Sequence, residues 1–208
     1  MRDRRAHPMN PAFYDFSKVF VRTMARVLWR ARVFGAENVP KTGRLIVACN
    51  HISYFDPPLM GCLCPRRIRY MAKKELFEIP VLGPVIRALG AYSVDRQGSA
   101  TGAIKRSLQV LESGGAIGIF PEGRRSIEGR AAPQTGVALL ASLGAAPVVP
   151  ACIYGTDRAL RLGRVDVAFG RPLLLPSHRK ATRDDLAKFA ADIMKAIETL
   201  AESIGGDT

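Results

Sequence analysis

The chain has 208 residues, 48% of them apolar and 24% charged, which excludes a disordered or fibrous protein and suits one domain with at most a short appended element. Lys and Arg number 31 against 18 Asp and Glu, a net charge of +13, so an anionic partner is expected: nucleic acid, an acidic carrier protein or an anionic membrane leaflet. Cys49, Cys62, Cys64 and Cys152 stand among apolar neighbours with no Cys-x-x-C pair and no zinc-type spacing, as buried thiols in a reducing compartment would.

Residues 1–11 are basic but lack the apolar core and cleavage site of a signal peptide. No run reaches the roughly 18 apolar residues that span a bilayer, so any membrane contact is expected to be peripheral. The first periodic stretch is 12–32. Phe13, Phe16, Phe20, Met24, Val27 and Ala31 recur at steps of three and four, and Lys18, Arg22, Arg26 and Arg30 at steps of four. The two sets fall on nearly opposite faces of a helix. Such a basic amphipathic helix either packs on a core or lies in a membrane interface, with Phe13, Phe16, Phe20, Lys18, Arg22 and Arg26 as the contact residues.

After Gly35 short apolar runs alternate with helical patterns. Strands are expected at 44–49, 68–72, 91–94, 116–120, 148–154 and 165–169, and helices at 80–89, 101–113, 135–143 and 182–203. Thr182 with Asp185 forms a capping box for the last of these. The alternation predicts an α/β fold, a mainly parallel mixed sheet flanked by helices, divided as an N-terminal helical element (1–34) and an α/β domain (35–208). In such folds function sits on loops leaving the strand ends.

Four motifs fall at those ends. Asn50-His51-Ile52-Ser53-Tyr54-Phe55-Asp56-Pro57 follows the run 45–49. The carboxylate of Asp56 can meet one imidazole nitrogen of His51 and leave the other as a general base. The alternative is a structural histidine capped by aspartate. Ser53 is a weak nucleophile candidate, since no Gly-x-Ser-x-Gly elbow surrounds it. A base without a protein nucleophile suits direct attack by a substrate hydroxyl. Phe120-Pro121-Glu122-Gly123-Arg124-Arg125-Ser126 is a tight loop whose adjacent guanidiniums either clamp a phosphate or face solvent. The stretches 71–77 and 90–96 add Lys73 and Arg96 at two further strand ends.

In this order the motifs resemble the lysophospholipid and glycerol-phosphate acyltransferase family. Its His-x4-Asp block reads as His51 to Asp56, and its Phe-Pro-Glu-Gly-Thr-Arg-Ser block as 120–126. Its block ending in Asp-Arg is similar to 90–96, and its Val-Pro block to Val149-Pro150-Ala151. The resemblance covers roughly 35–172. It implies that His51, oriented by Asp56, deprotonates the sn-2 hydroxyl of 1-acyl-glycerol-3-phosphate for attack on a thioester of acyl carrier protein or CoA. It assigns the substrate phosphate to Arg125, with Arg124, Lys73 and Arg96 nearby. Glu122 and Gly123 shape the acceptor loop. No metal or bound cofactor is implied, and acyl-ACP or acyl-CoA is a cosubstrate. The resemblance places the protein peripherally on the cytoplasmic face of the cell membrane, with the N-terminal helix as its contact. Arg124 stands where the family has Thr, and Gln134-Thr135-Gly136 where relatives often carry a basic pair; both leave another lyso-lipid acceptor open. A lipid-binding protein with a retired site is disfavoured by the intact His51 and Asp56. Nucleic-acid binding is disfavoured by the lack of any recognition motif.

Overall fold

The run Leu45–Cys49 is apolar at every position, so neither of its faces suits water. It forms the central strand of a seven-stranded sheet and is buried throughout. The computed structural model describes residues 9–94, 100–123, 135–175 and 181–205. Their helices are α1 (Pro11–Leu28), α2 (Asp56–Leu63), α3 (Leu82–Ala88), α4 (Ala100–Glu112), α5 (Gly136–Gly144) and α6 (Arg183–Gly205). The strands are β1 (Arg32–Phe34), β2 (Leu45–Cys49), β3 (Arg69–Lys73), β4 (Tyr92–Val94), β5 (Ala116–Ile119), β6 (Val148–Tyr154) and β7 (Asp166–Phe169). They lie in the order β1-β7-β6-β2-β5-β3-β4, and every neighbouring pair is parallel except β6 with β7. The expected α/β fold with a mainly parallel sheet is therefore the one that forms.

Helices cover both faces. Leu45, Val47 and Cys49 point into a core closed by Ala25 of α1 and by Leu59, Met60 and Leu63 of α2. Ile46 and Ala48, one residue out of phase, point into a core closed by α4, α5 and α6 through Leu111, Leu140 and Ile193. The capping box forms as expected: the Thr182 N–H donates to Asp185 Oδ2 at 2.8 Å and the Asp185 N–H to Thr182 Oγ1 at 3.2 Å.

Three elements differ from the sequence reading. The first helix stops at Leu28, and residues 29–31 leave it instead of continuing to 32. Tertiary bonds end it: the Trp29 carbonyl accepts the Val165 N–H at 3.0 Å, and the indole N–H donates to the Ala159 carbonyl at 2.7 Å. Arg30 then turns into the left-handed region at φ 47, so the helical basic row ends at Arg26. Residues 32–34 form an unforeseen edge strand, because the Arg32 guanidinium forks onto the buried Asp166 carboxylate at 2.9 and 2.8 Å. Arg164 Nε adds a further ion pair to Asp166 at 3.2 Å. The third is α2, a helix not expected from the sequence, which begins at Asp56 itself; Pro57 and Pro58 fall in its first turn, where proline costs no hydrogen bond.

On α1, Asn10 caps the Phe13 N–H at 3.1 Å and Pro11 opens the first turn. The helix packs through Tyr14, Val21 and Ala25, a set between the phenylalanine stripe and the basic row. The Tyr14 hydroxyl accepts the Ile68 N–H at 3.0 Å and lies 3.2 and 3.3 Å from the carbonyls of Gly61 and Ile68. Of the phenylalanine stripe, Phe13 is half-buried, while Phe16 is 69% and Phe20 57% exposed, their rings stacked at 6.4 Å. Among the described residues no helix is long and apolar enough to cross a membrane.

Candidate active site

Parallel pairing of β2, β5, β3 and β4 brings their carboxyl ends to one edge of the sheet. All four motif-bearing loops leave from that edge. After β2 the chain continues into α2 on one face, and α5, the next helix after β5, packs on the other, which makes these two central strands the switch point where open α/β sheets bind ligands. His51 and Glu122 stand side by side at their ends, the His51 backbone N–H directed at the Glu122 carboxylate.

His51 and Asp56 meet. His51 Nδ1 lies 2.8 Å from Asp56 Oδ2. A carboxylate oxygen only accepts, so Nδ1 carries the hydrogen and Nε2 is the basic nitrogen. Nε2 makes no hydrogen bond among the described residues, and the side chain keeps partial solvent access. Asp56 is 0% exposed. Its Oδ2 also accepts the N–H groups of Ile52 and Ser53, each at 2.7 Å. Its Oδ1 accepts the Thr156 hydroxyl at 2.5 Å. Four donors thus hold the carboxylate as the first residue of α2, where the helix N-terminus further favours negative charge.

The imidazole is also held from below. Its ring stacks on Phe120 with centroids 4.2 Å apart and planes 25° off parallel, and Phe120 stacks in turn on Tyr70 at 5.8 Å. That column needs Gly118: a Cβ there would sit 2.2 Å from the Tyr70 ring. Asn50 locks the start of the turn to β6, its Nδ2 donating to the Ile153 carbonyl at 3.0 Å and its Oδ1 accepting the Ile153 N–H at 2.8 Å. The Ser53 hydroxyl accepts the Phe55 N–H at 3.3 Å. It is a turn former, in keeping with the low weight its sequence context gave it as a nucleophile.

Beside His51, residues 120–123 turn tightly, with the Gly123 N–H donating to the Phe120 carbonyl at 3.0 Å and Gly123 at φ 66. Glu122 is buried, and its Oε2 has no hydrogen-bond partner among the described residues. Burial raises the carboxyl above its ordinary range. The His51 backbone N–H and the imidazole charge pull it down, and the Asp56 charge adds to the rise. Lys73 ends β3 and is exposed on the same edge. Arg96, Arg124 and Arg125 lie outside the described residues. The site therefore unites His51, Asp56, Glu122 and Gly123. To these the structure adds Thr156 and the Phe120–Tyr70 column, which sequence reasoning missed. The only signal for Thr156 was its place after a Gly that ends an apolar strand.

Cys49, Cys64 and Cys152 are buried, as the sequence suggested, while Cys62 is half-buried. Burial pushes the Cys62 thiol up to about 11 and the Cys152 thiol up to about 12, so both stay protonated and unreactive at neutral pH.

A sequence model of the family described as Acyltransferase matches residues 30–154, more than half of the chain. The chain is 31% identical over 164 residues to the 1-acyl-sn-glycerol-3-phosphate acyltransferase of Bacillus subtilis (strain 168), covering 77% of this chain and 82% of that protein. It is 30% identical over 200 residues to the enzyme of the same name from Streptococcus pneumoniae, covering 91% and 74%. The crystal structure of the 1-acyl-sn-glycerophosphate (LPA) acyltransferase from Thermotoga maritima superimposes with a TM-score of 0.74 at 26% identity, over 96% of this chain and 83% of that one. With the His-x4-Asp pair formed on a matching fold, the chain belongs to the acyltransferase family and is an acyltransferase.

Proposed function

We propose that this acyltransferase moves a fatty acyl chain from a thioester, carried by acyl carrier protein or CoA, to the free sn-2 hydroxyl of 1-acyl-glycerol-3-phosphate. The product is phosphatidic acid for phospholipid synthesis. The observation that carries the reading is the His51–Asp56 pair, with Nδ1 engaged at 2.8 Å, Nε2 without a hydrogen-bond partner among the described residues, and the side chain partly exposed. Nε2 takes the proton of the acceptor hydroxyl as its oxygen attacks the thioester carbonyl. The tetrahedral adduct collapses, the C–S bond breaks, and the imidazolium returns the proton to the leaving thiolate. Asp56 stabilises the imidazolium in between, without taking its proton. Arg125 binds the acceptor phosphate, supported by Arg124, Lys73 and Arg96, while Glu122 and Gly123 shape the acceptor side. The enzyme works peripherally on the cytoplasmic face of the membrane, where the exposed phenylalanine stripe of α1 enters the interface and its basic row meets anionic headgroups. The relatives named above act, by their names, on this acceptor.

The test is transfer by purified protein with acyl carrier protein and CoA thioesters supplied separately and lyso-phosphatidate in anionic vesicles, following free thiol and diacyl product. Diacyl product in step with thiol release supports the reading and identifies the donor. Thiol release without diacyl product contradicts the acceptor assignment.

A further inference from the structure

The 3₁₀ helix Thr156–Arg161 has two faces of opposite character. Its inner face carries Thr156 and Ala159, three residues apart and so eclipsed on a 3₁₀ repeat. Both are buried: the Thr156 hydroxyl holds Asp56, and the Ala159 carbonyl holds the indole of Trp29. The outer face carries Asp157, Arg158, Leu160 and Arg161 and runs on to Leu162, all of them exposed, with Asp157 3.9 Å from the Arg158 guanidinium and the two arginines outnumbering the one carboxylate. Leu160 is 86% and Leu162 57% exposed. Nor is the outward position of Leu162 loose. Its backbone is held at φ 56, with its N–H donating to the Ala159 carbonyl at 3.0 Å and the Gly163 N–H donating to the Arg158 carbonyl at 3.2 Å. Arg158 lies over the Tyr154 ring at 5.5 Å, which aims its guanidinium along the surface. Arg30 sits on the same frame, next to Trp29 and exposed.

Two large aliphatic side chains in water between arginines line no core and no crevice. From their placement we infer that the outer face of this 3₁₀ helix is a docking surface for an anionic lipid interface. Leu160 and Leu162 enter the acyl boundary, and Arg158 and Arg161 pair with lipid phosphates. The inference rests on the reading of the protein as a membrane-acting acyltransferase. Interleaved leucine and arginine suit the boundary between acyl chains and phosphates, and the chain's net charge of +13 gives it the complementary sign. Trp29 ties this helix to the end of α1, whose phenylalanine stripe carries further exposed apolar side chains. Anchoring the element that touches Asp56 fixes the catalytic edge of the sheet against the surface that holds the acceptor.

The experiment compares full-length wild type with Leu160→Ser/Leu162→Ser and with Arg158→Glu/Arg161→Glu. Each is floated with phosphatidylglycerol–phosphatidylcholine vesicles and assayed on lyso-phosphatidate, either embedded in those vesicles or as a short-chain form kept monodisperse. Both variants are expected to lose about tenfold in vesicle affinity and in turnover of embedded acceptor. Turnover of the monodisperse acceptor should stay within about twofold of wild type. Wild-type flotation by both variants overturns the inference. So does equal loss on the monodisperse acceptor, which makes the face part of the active site, and so does a loss confined to the carrier-protein donor, which makes it a protein-docking face. Should the leucine pair fail to fold, the arginine pair, wholly at the surface, decides. A wild type that neither floats nor turns over any acceptor removes the membrane-enzyme reading itself, an outcome distinct from failure of the variants alone.

Discussion

A carboxylate sealed from solvent is tolerated only when its lone pairs are filled, and Asp56 is filled by His51, two backbone N–H groups and Thr156. Of the four, only the hydroxyl of Thr156 can be removed without touching the turn. Thr156→Val keeps the shape and deletes one hydrogen bond to a charged group, a loss of about 1.5–3 kcal/mol. The expected result is a fall of about tenfold or more in kcat with KM near wild type, restored by Thr156→Ser. Steady-state kinetics on the three proteins check it, and an unchanged kcat in the valine variant removes Thr156 from the positioning of Asp56. Glu122 contributes in the opposite sense. Its carboxyl lies above the ordinary range in the folded protein because of burial, so the native state holds the proton more tightly than the unfolded chain. The stability this gives is full below the unfolded value of about 4.3 and is lost as pH rises through the raised folded value. Glu122→Gln should flatten the fall in melting temperature as pH rises above the ordinary carboxylate range, and thermal melts that run parallel to wild type contradict this.

At the scale of elements, the stacked column shows how a strand residue far from the chemistry sets the base. Gly118 makes room for Tyr70, Tyr70 carries Phe120, and Phe120 carries the imidazole. Gly118→Ala drives a methyl into the Tyr70 ring, and overpacking of this kind costs about 1–3 kcal/mol. The melting temperature and kcat should fall together, and a variant with wild-type kcat and stability would show that the ring moves aside freely. On α1, the exposed phenylalanines lie apart from the packed face, so Phe16 and Phe20 can become Ser without opening the core that Tyr14 and Ala25 close. Vesicle affinity should drop at least about tenfold with the melting temperature little changed; binding equal to wild type would contradict a role for the stripe at the interface. The helical period revealed α1 and its two-sided surface, but its end was hidden. What stops it is a set of bonds to Ala159 and Val165 more than a hundred residues on, and no local pattern carries them. Likewise Arg32 reads as the last residue of the helix, and Val33 and Phe34 as no element, until Asp166 is seen beside Arg32. The central strand and the His-x4-Asp turn were legible because both are local: five consecutive apolar residues, and two side chains within one turn.

At the scale of the whole molecule, the strand order decides the function. Parallel pairing delivers four loops, separated by up to about seventy residues in the chain, to one sheet edge, and alternation of strands and helices was enough to expect that. Thr156 escaped because a single threonine a hundred positions from Asp56 has no spacing to read. The central claim is that His51 is the base for acyl transfer, and its most direct test is turnover of wild type and His51→Ala side by side, with one thioester donor and lyso-phosphatidate in vesicles. The account predicts a fall of about a hundredfold or more in the variant, with vesicle binding and melting temperature unchanged. Turnover near the wild-type rate would contradict it.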